Sequence, residues 1–366
     1  NGMIYGMTYK GGTNNIGVLF EFNPINNIYS KKYDFNTTDG YDPFGDLMEA
    51  SNGKLYGVTS RGGVSYSGVL FEYDFNINTY TIKYDFVNTN DGEREPKGTL
   101  FQASNGILYG TTTEGGTGYG PGGSIFKYDL ATGQVNTTVD LDGSDDGFAP
   151  SGGRLLLASD GKVYGTTNFG GKHADGVLFS YNRSAKTFTK LVDFKSDSIG
   201  DRPNGGLVEA SNGKLYGLVS SGGQNFNGGV FEYDIAADSC VLKVSLQDTL
   251  TGKFPNGTLI QASNGKFYFT TSSGGLSNRG ALLEYDLQSN TLTKHIDFDG
   301  PSKGSIAVAS LVEGDNGKLY GMTQAGGVNG GTSGNGVLFE FDTQNNSFTK
   351  LQDMDTITGI RPVSTL

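Results

Sequence analysis

A glycine doublet recurs seven times along this chain of 366 residues. The steps between the copies are 51, 53, 55, 52, 52 and 52 residues, and the copies are Gly11-Gly12, Gly62-Gly63, Gly115-Gly116, Gly170-Gly171, Gly222-Gly223, Gly274-Gly275 and Gly326-Gly327. A fixed period of this length is typical of repeat architectures, in which each unit buries its apolar surface against its neighbours. The period therefore predicts one object built from seven similar units.

Each unit contains four short apolar segments, which we call strands a, b, c and d. In the second unit they are expected at residues 43–50, 54–60, 68–74 and 80–86. The Asn52-Gly53 pair between strands a and b is a dipeptide that two-residue hairpins favour. Helical periodicity is absent, so four strands in each of seven units predict an all-β fold, a seven-bladed β-propeller with four antiparallel strands per blade.

The repeat also predicts where the blades lie within a single domain. The tail from Arg361 to Leu366 matches the start of strand a in other units, so it is expected to close the ring by pairing with residues 3–7. Blade 1 then combines residues 1–40 with 359–366, and the other blades are expected at 43–92, 96–143, 150–198, 203–249, 255–300 and 304–356.

One blade departs from the pattern in its core. Phe269 stands where the other six units carry a glycine after the tyrosine of strand b, and Ala281-Leu282-Leu283 stands where the repeat reads Val-Leu-Phe. Because protein interiors are close-packed, we interpret the exchange as volume compensation within one core.

Charge and composition exclude several classes of partner. The net charge is −11, whereas nucleic-acid binding needs a basic surface. No apolar run approaches the roughly 18 residues of a membrane-spanning helix, so membrane insertion is not expected. The single cysteine, Cys240, has no partner for a disulfide or a CxxC site. A monomer without a cofactor is the expectation.

The residues also resemble two known repeat families. Apolar residues, a double glycine and a spaced aromatic are similar to kelch repeats, although the tryptophan expected on the outer strand is absent. The segments 51–74 and 211–234, which contain SNGKLYG, the doublet and FEYD, resemble the GloVer tandem repeat. That resemblance covers the whole chain and implies a secreted or surface-displayed bacterial protein, with no established activity.

Candidate ligand contacts come from the segments that differ most between units. The b–c loops follow the doublet, and the d–a loops precede a recurrent proline. Variation on a rigid scaffold is where function tends to lie, although surface loops also drift without function. The candidates are Tyr66, Tyr119, His173, Phe226 and Arg279 in the b–c loops, and Asp42, Glu95, Arg202, Phe254 and Arg361 before the prolines, where we expect them to point toward the channel mouth.

Catalytic and metal sites receive weaker support. His173 has Asp175 nearby but no fixed second element, so no catalytic residue is assigned. Asp142, Asp145 and Asp146 form an oxygen-rich loop that could hold calcium, but their spacing differs from the alternating calcium-loop pattern. The aspartate that ends strand d, as in Asp85, recurs too often to be catalytic and is expected to accept amide hydrogen bonds from the turn that follows.

Three functions remain open at this stage. The first is a non-enzymatic binding module for a glycan, peptide or protein on the face that carries the b–c and d–a loops. The second is a glycan hydrolase or lyase that uses carboxylates such as Asp42, Glu95 or Asp146. The third is an architectural spacer without a ligand.

Overall fold

The computed structural model describes residues 2–87, 94–103, 106–115, 122–141, 143–150, 154–328 and 334–366. These residues form seven antiparallel sheets whose neighbouring strands follow one another along the chain, which confirms the seven-bladed propeller. The strands of the first four sheets are β1 Ile4–Met7, β2 Val18–Asn23 and β3 Ile28–Asp34; β4 Met48–Glu49, β5 Leu55–Thr59, β6 Val69–Asp74 and β7 Thr79–Asp85; β8 Arg94–Pro96, β9 Phe101–Gln102, β10 Ile107–Glu114, β11 Ser124–Asp129 and β12 Val135–Asp140; and β13 Leu156–Leu157, β14 Val163–Thr167, β15 Val177–Asn182 and β16 Thr187–Asp193.

The remaining three sheets follow the same order, with one short helix among the described residues. They are β17 Asp201–Pro203, β18 Val208–Glu209, β19 Leu215–Ser221, β20 Gly229–Asp234 and β21 Ser239–Ser245; then, after α1 Asp248–Thr251, β22 Lys253–Gln261, β23 Phe267–Ser273, β24 Ala281–Asp286 and β25 Thr291–Asp297; and β26 Val312–Glu313, β27 Lys318–Thr323, β28 Val337–Asp342 and β29 Ser347–Asp353. No helix in this part of the chain has the length and apolar character that crossing a membrane requires.

Strand a, the innermost strand, is shorter than the sequence suggests. In blade 2 the expected strand 43–50 is reduced to Met48–Glu49, and an isolated bridge joins Tyr41 to Arg61 upstream of it. The segment between these two contacts carries Pro43, which cannot donate to a ladder. Strand a therefore turns away from strand b at its middle, and the side chains of that middle part line the central channel.

The C-terminal segment closes the ring, but not as the ladder with residues 3–7 that we expected. Lys10 and Ile360 form an isolated bridge in which the Ile360 amide donates to the Lys10 carbonyl at 2.7 Å. Ser364 Oγ donates to the carbonyl of Met7 at 3.1 Å. The contacts thus lie at the C-terminal end of β1 and just beyond it. The reason is that the C-terminal segment bends as strand a does in the other blades.

A chain of hydrogen bonds joins blades 5, 6, 7, 1, 2 and 3 in turn around the channel, and we call it the collar. The backbone amide three residues after the recurrent proline, or after Ala307 in blade 7, donates to a side-chain oxygen at the same position of the next blade. The described links are Gly206 to Thr258 at 2.7 Å, Thr258 to Ser310 at 2.7 Å, Ser310 to Thr365 at 3.1 Å, Thr365 to Asp46 at 2.5 Å and Asp46 to Thr99 at 3.0 Å.

Each apolar core lies between two neighbouring blades. Tyr56, Leu70 and Phe86 of blade 2, for example, pack with Leu108 and Phe126 of blade 3. A corresponding cluster joins blade 7 to blade 1 and includes Phe20 and Tyr320. Since every blade is covered on both faces, its central strands are apolar without alternation.

The glycine in strand b makes room for an aromatic ring in strand c. Gly57 lies directly opposite Phe71, and a Cβ atom on Gly57 would lie 2.5 Å from the Phe71 ring. In blade 6 the pair is Phe269 opposite Leu283, and both side chains are buried. The aromatic ring has therefore moved from strand c to strand b, which agrees with volume compensation.

The glycine doublet is held by two different contacts. The Asp85 carboxylate accepts a hydrogen bond from the Val64 amide at 2.9 Å, and a Cβ atom on Gly63 would lie 2.3 Å from it. A Cβ atom on Gly62 would lie 2.7 Å from the Cα atom of Gly40 in the d–a loop. The expectation that this aspartate bonds the turn after it is wrong, because the carboxylate reaches back across the blade to the b–c loop.

Removing the displaced ring tests the compensation in blade 6. Phe269→Gly should lower the free energy of unfolding by about 3–5 kcal/mol, because a large cavity opens beside Leu283. The double variant Phe269→Gly/Leu283→Phe restores the pairing of the other blades, so it should recover much of the loss in urea unfolding. A double variant as unstable as the single one would show that the two sites are not coupled.

The doublet contact is tested by comparing alanine substitutions at two glycines that have similar backbone conformations. Gly53 and Gly63 have φ values of 72° and 78°, but a Cβ atom on Gly53 would meet nothing within 4 Å. Both variants carry the strain of a left-handed alanine, about 1–2 kcal/mol. Gly63→Ala should cost about 1–3 kcal/mol more than Gly53→Ala, since it also displaces Asp85. Equal losses on thermal unfolding would contradict this account.

Candidate functional site

The b–c and d–a loops form one face of the propeller, which we call the loop face. The residue before the recurrent proline has a left-handed φ, as in Glu95 at 51° and Arg202 at 50°. Its amide donates to a b–c loop of the preceding blade, for example from Glu95 to the Ser67 carbonyl at 3.2 Å and from Arg202 to the Asp175 carbonyl at 2.9 Å. The backbone of the loop face is therefore fixed from blade to blade, and its side chains are free to differ.

Two exposed aromatic residues occupy a left-handed position in the b–c loops. Tyr66 and Phe226 both have φ of 57° and are 71% and 64% exposed. Asn15 and Asn278 hold the same position in blades 1 and 6, and asparagine accepts this conformation readily. A bulky residue there is strained and buries little apolar surface, so the fold gives no reason for it.

Tyr66 and Phe226 are not neighbours on the loop face. Tyr66 lies on blade 2 and Phe226 on blade 5, with blades 3 and 4 between them. A ligand that contacts both must therefore extend across the channel mouth. Tyr119, the third predicted aromatic contact, lies outside the described residues.

The remaining b–c candidates have different surroundings. His173 is exposed, while the carboxylate of Asp175 accepts a hydrogen bond from the Ser196 amide at 2.9 Å and does not orient the histidine. Arg279 is half-buried, and its guanidinium lies against Gly300 of the adjacent d–a loop. Neither residue is brought together with a nucleophile or a carboxylate pair among the described residues.

The d–a candidates surround the channel but do not line its cavity. Glu95 pairs with Lys97 at 2.8 Å, and the Arg202 guanidinium lies 5.6 Å from the Phe169 ring centroid. Phe254 is 39% exposed and Arg361 is exposed. They differ from blade to blade, as the sequence shows, yet their side chains lie on the rim.

Asp42 differs from the other candidates because it is buried, with only 3% of its surface exposed. Its Oδ2 atom lies 3.8 Å from Arg61 Nη1, while Oδ1 has no hydrogen-bond partner. Burial raises the pKa of the Asp42 carboxyl, Glu95 raises it further, and Lys10, Arg61 and a hydrogen bond from Tyr9 oppose this. A buried carboxyl with a raised pKa on a variable face is a typical mark of a functional position.

The channel itself contains a cavity of about 430 Å³ below the loop face. Its lining combines apolar residues with uncharged polar groups, including the side-chain amides of Asn168, Asn204, Asn256 and Gln324. Phe44 and the charged residues Asp46 and Lys97 also contribute to the wall. Most of the described lining comes from residues just after the recurrent proline, which the sequence-based prediction missed.

The calcium hypothesis is not tested by the structure. Asp145 forms an ion pair with Lys190 at 2.5 Å, which occupies one of its oxygen atoms. Asp142 lies outside the described residues, and Asp146 lies in the same exposed loop. Calcium binding at this loop stays the weaker alternative to the prediction of no metal.

The propeller is built from repeats of a known family. The family model of the Gloeobacter/Verrucomicrobia repeat matches residues 1–156 and 117–332, which is most of the chain. The chain therefore belongs to the Gloeobacter/Verrucomicrobia repeat family. The resemblance to kelch repeats is not confirmed by this match. No curated protein matches the chain.

Several solved structures share the fold at low sequence identity. A candidate 6-phosphogluconolactonase from Bacteroides fragilis is 16% identical with a TM-score of 0.62, and the alignment covers 99% of this chain and 96% of that one. The corresponding protein from Bacteroides uniformis is 13% identical, with a TM-score of 0.62 and coverages of 99% and 97%. A puromycin hydrolase variant is 12% identical, with a TM-score of 0.63, over 96% of this chain and 52% of that one. At such identities the likeness shows the fold alone.

Replacing Asp42 by asparagine tests its environment. The pKa of Asp42 is raised in the folded state, so the protonated carboxyl favours folding. This contribution is fully present below the unfolded pKa of about 4 and is lost as the pH rises through the folded pKa. Asp42→Asn should therefore be more stable than the wild type at neutral pH, and the gain should disappear as the pH falls toward that of the unfolded carboxyl. The measurement is urea unfolding across pH.

Asp39→Asn is the matched control for Asp42→Asn. Burial of Asp39 is outweighed by hydrogen bonds from Tyr33, Asn36 and Thr38, so the pKa of Asp39 is lowered. Asp39→Asn should destabilise the protein at neutral pH, and the loss should shrink as the pH falls through the folded pKa. A gain for Asp42→Asn that does not vary with pH would rule out the charge of Asp42 as its cause.

Proposed function

We propose that this protein is a non-enzymatic binding module that takes a glycan, peptide or protein ligand on its loop face. The observation that carries the proposal is the strained, exposed pair of aromatic residues, Tyr66 and Phe226. Exposed aromatic rings supply large contact areas at low cost in conformational entropy. Because the two rings stand on blades 2 and 5, the ligand is an extended molecule.

The distribution of exposed apolar side chains supports this choice of face. Most of the large apolar residues exposed in the described part of the chain belong to b–c or d–a loops, among them Val64, Leu250, Leu276, Val328 and Ile357. A concentration of such residues on one face, rimmed by polar groups, is typical of an interaction surface. Arg202, Arg279 and Arg361 would add charge-assisted contacts.

A secreted or surface-displayed bacterial protein is the setting that we propose for this binding. The resemblance of the units to the GloVer tandem repeat of exported bacterial proteins supports that setting. The acidic chain and the polar outer surface are compatible with it.

A glycan hydrolase or lyase is the second candidate, and Asp42 is the observation that favours it. Its raised pKa would suit a general acid, and Glu95 on the next blade is the nearest candidate partner. Release of reducing or unsaturated ends from a bound glycan, abolished by Asp42→Asn, would favour the enzyme over the binding module.

Asparagine substitutions give a sharp test of the binding proposal. Tyr66→Asn and Phe226→Asn install the residue that blades 1 and 6 carry at the same left-handed position. Each variant should be as stable as the wild type or more so, yet should bind about tenfold more weakly to the ligand found on glycan and peptide arrays. Affinity is measured by calorimetry, and stability by thermal unfolding.

Ile77→Asn provides the matched control, because Ile77 is 69% exposed on the opposite face. It should leave the affinity unchanged. Wild-type affinity in both aromatic variants would contradict the assignment of the loop face. Absence of any array ligand would favour the architectural spacer instead.

A further inference from the structure

A group of aromatic and charged side chains lies where blades 1, 2 and 3 meet at the channel mouth, and we call it the mouth cluster. The aromatic rings belong to neighbouring blades and the charged groups flank them. Its members are Tyr9, Lys10, Asp42, Phe44, Arg61 and Lys97.

Two ammonium groups and two rings form a continuous stack within the mouth cluster. Lys10 Nζ lies 4.7 Å from the centroid of the Tyr9 ring. The Tyr9 and Phe44 rings are 5.3 Å apart and tilted by 50°. Lys97 Nζ lies 5.7 Å from the Phe44 centroid, and both Phe44 and Lys97 belong to the wall of the channel cavity. The stack therefore leads from the rim into the channel.

Tyr9 occupies a position that serves the fold in other blades. In four of them a small hydroxyl donates to the carbonyl of the residue before the proline, as Ser60 does to Asp42 at 3.1 Å and Ser220 to Arg202 at 2.9 Å. Tyr9 places an aromatic ring there instead, and its hydroxyl interacts with the Asp42 carboxyl. Blade 1 thus carries an aromatic ring at the mouth in place of a structural hydrogen bond, and the fold of the repeat does not need that ring.

The charges at the mouth differ from those on the opposite face. There the lysines at the start of strand b are neutralised by glutamates of strand c, as Lys54 is by Glu72 at 2.8 Å and Lys318 by Glu340 at 2.7 Å. At the mouth, Arg61 is paired with Asp42 at 3.8 Å and Lys97 with Glu95 at 2.8 Å, whereas Lys10 and Arg361 have no carboxylate oxygen within 4 Å among the described residues. The paired backbones of Lys10 and Ile360 hold these two cations on one edge of the channel.

The mouth cluster and the cavity below it offer different groups to a ligand. The cavity offers amides and hydroxyls, with the Asn204 side chain donating to Asn256 at 2.7 Å, and one carboxylate, that of Asp46. At the rim Lys10 lies over Tyr9, the Tyr9 ring contacts the Phe44 ring, which is 37% exposed, and the buried Asp42 Oδ1 lacks a donor. A ligand with many hydroxyls, an apolar ring face and a carboxylate satisfies all of these groups, and a uronic acid residue has this composition.

We propose that the mouth cluster is a subsite for a uronic acid residue of an anionic saccharide. Phe44 and Tyr9 take the apolar face of the sugar ring, and Lys10, with Arg361 next to the cluster, takes its carboxylate. The channel amides receive hydroxyls of the adjoining residue. This inference rests on the proposed binding function and specifies its ligand.

The test uses oligosaccharides of galacturonate, glucuronate and mannuronate, each with its methyl ester. Esterification removes the charge and leaves the ring, so at least one free acid should bind the whole chain about tenfold more tightly than its ester in calorimetry. Lys10→Gln should weaken binding of that acid by about tenfold and leave the affinity of the ester nearly unchanged. Lys172→Gln removes an exposed cation from blade 4, away from the cluster, and should leave both affinities unchanged.

The outcomes separate this proposal from the binding function itself. Equal affinities for acid and ester in all three series, or equal losses for Lys10→Gln and Lys172→Gln, would overturn the uronate subsite. If array ligands still bind and Tyr66→Asn still weakens them, the binding function stands without it. Selective loss in Lys10→Gln alone supports the subsite.

Discussion

The carboxylate that ends strand d holds the amide that follows the glycine doublet, and the geometry of the loop face depends on this contact. It recurs in Asp34, Asp85, Asp193, Asp297 and Asp353, at distances of 2.7–3.0 Å to the amides after their doublets. A side chain on the second glycine would displace the carboxylate, and one on the first would collide with the d–a loop in most blades. In these five blades the b–c loop therefore starts from a fixed point, whatever sequence follows.

One face of the propeller carries repeated stabilising clusters, and the loop face carries the side chains that vary. The opposite face repeats one cluster, in which a buried tyrosine, a strand-c glutamate and a lysine meet, as in Tyr216, Glu232 and Lys214. Burial works against ionisation of Glu232, yet hydrogen bonds from Tyr216 and Lys214 outweigh it and lower its pKa. With the collar and the interblade cores, these clusters hold the ring together, so substitutions on the loop face carry little structural cost.

The sequence was sufficient for the fold and insufficient for the site, for reasons visible in particular residues. The seven doublets and the apolar runs of strand c depend only on local spacing, so the blades could be predicted. The partner of Asp85 lies across the blade, and that contact was assigned to the wrong turn. Tyr9 and Phe44 come from different blades, and their 5.3 Å contact has no local signal. The sequence offered one clue to Tyr9, because four other blades carry a small hydroxyl residue at its position.

A ring of near-identical blades offers every ligand group seven equivalent places, so selective binding requires that some blades differ. Here the differences are concentrated. Blades 1 to 3 supply the mouth cluster, and blades 2 and 5 carry the strained aromatics, while the backbone bonds between loops remain the same around the ring. Because those bonds fix the loop backbone before a ligand arrives, less conformational entropy is lost on binding. A rigid, symmetric frame with a few asymmetric side chains thus suits recognition of an extended, asymmetric ligand.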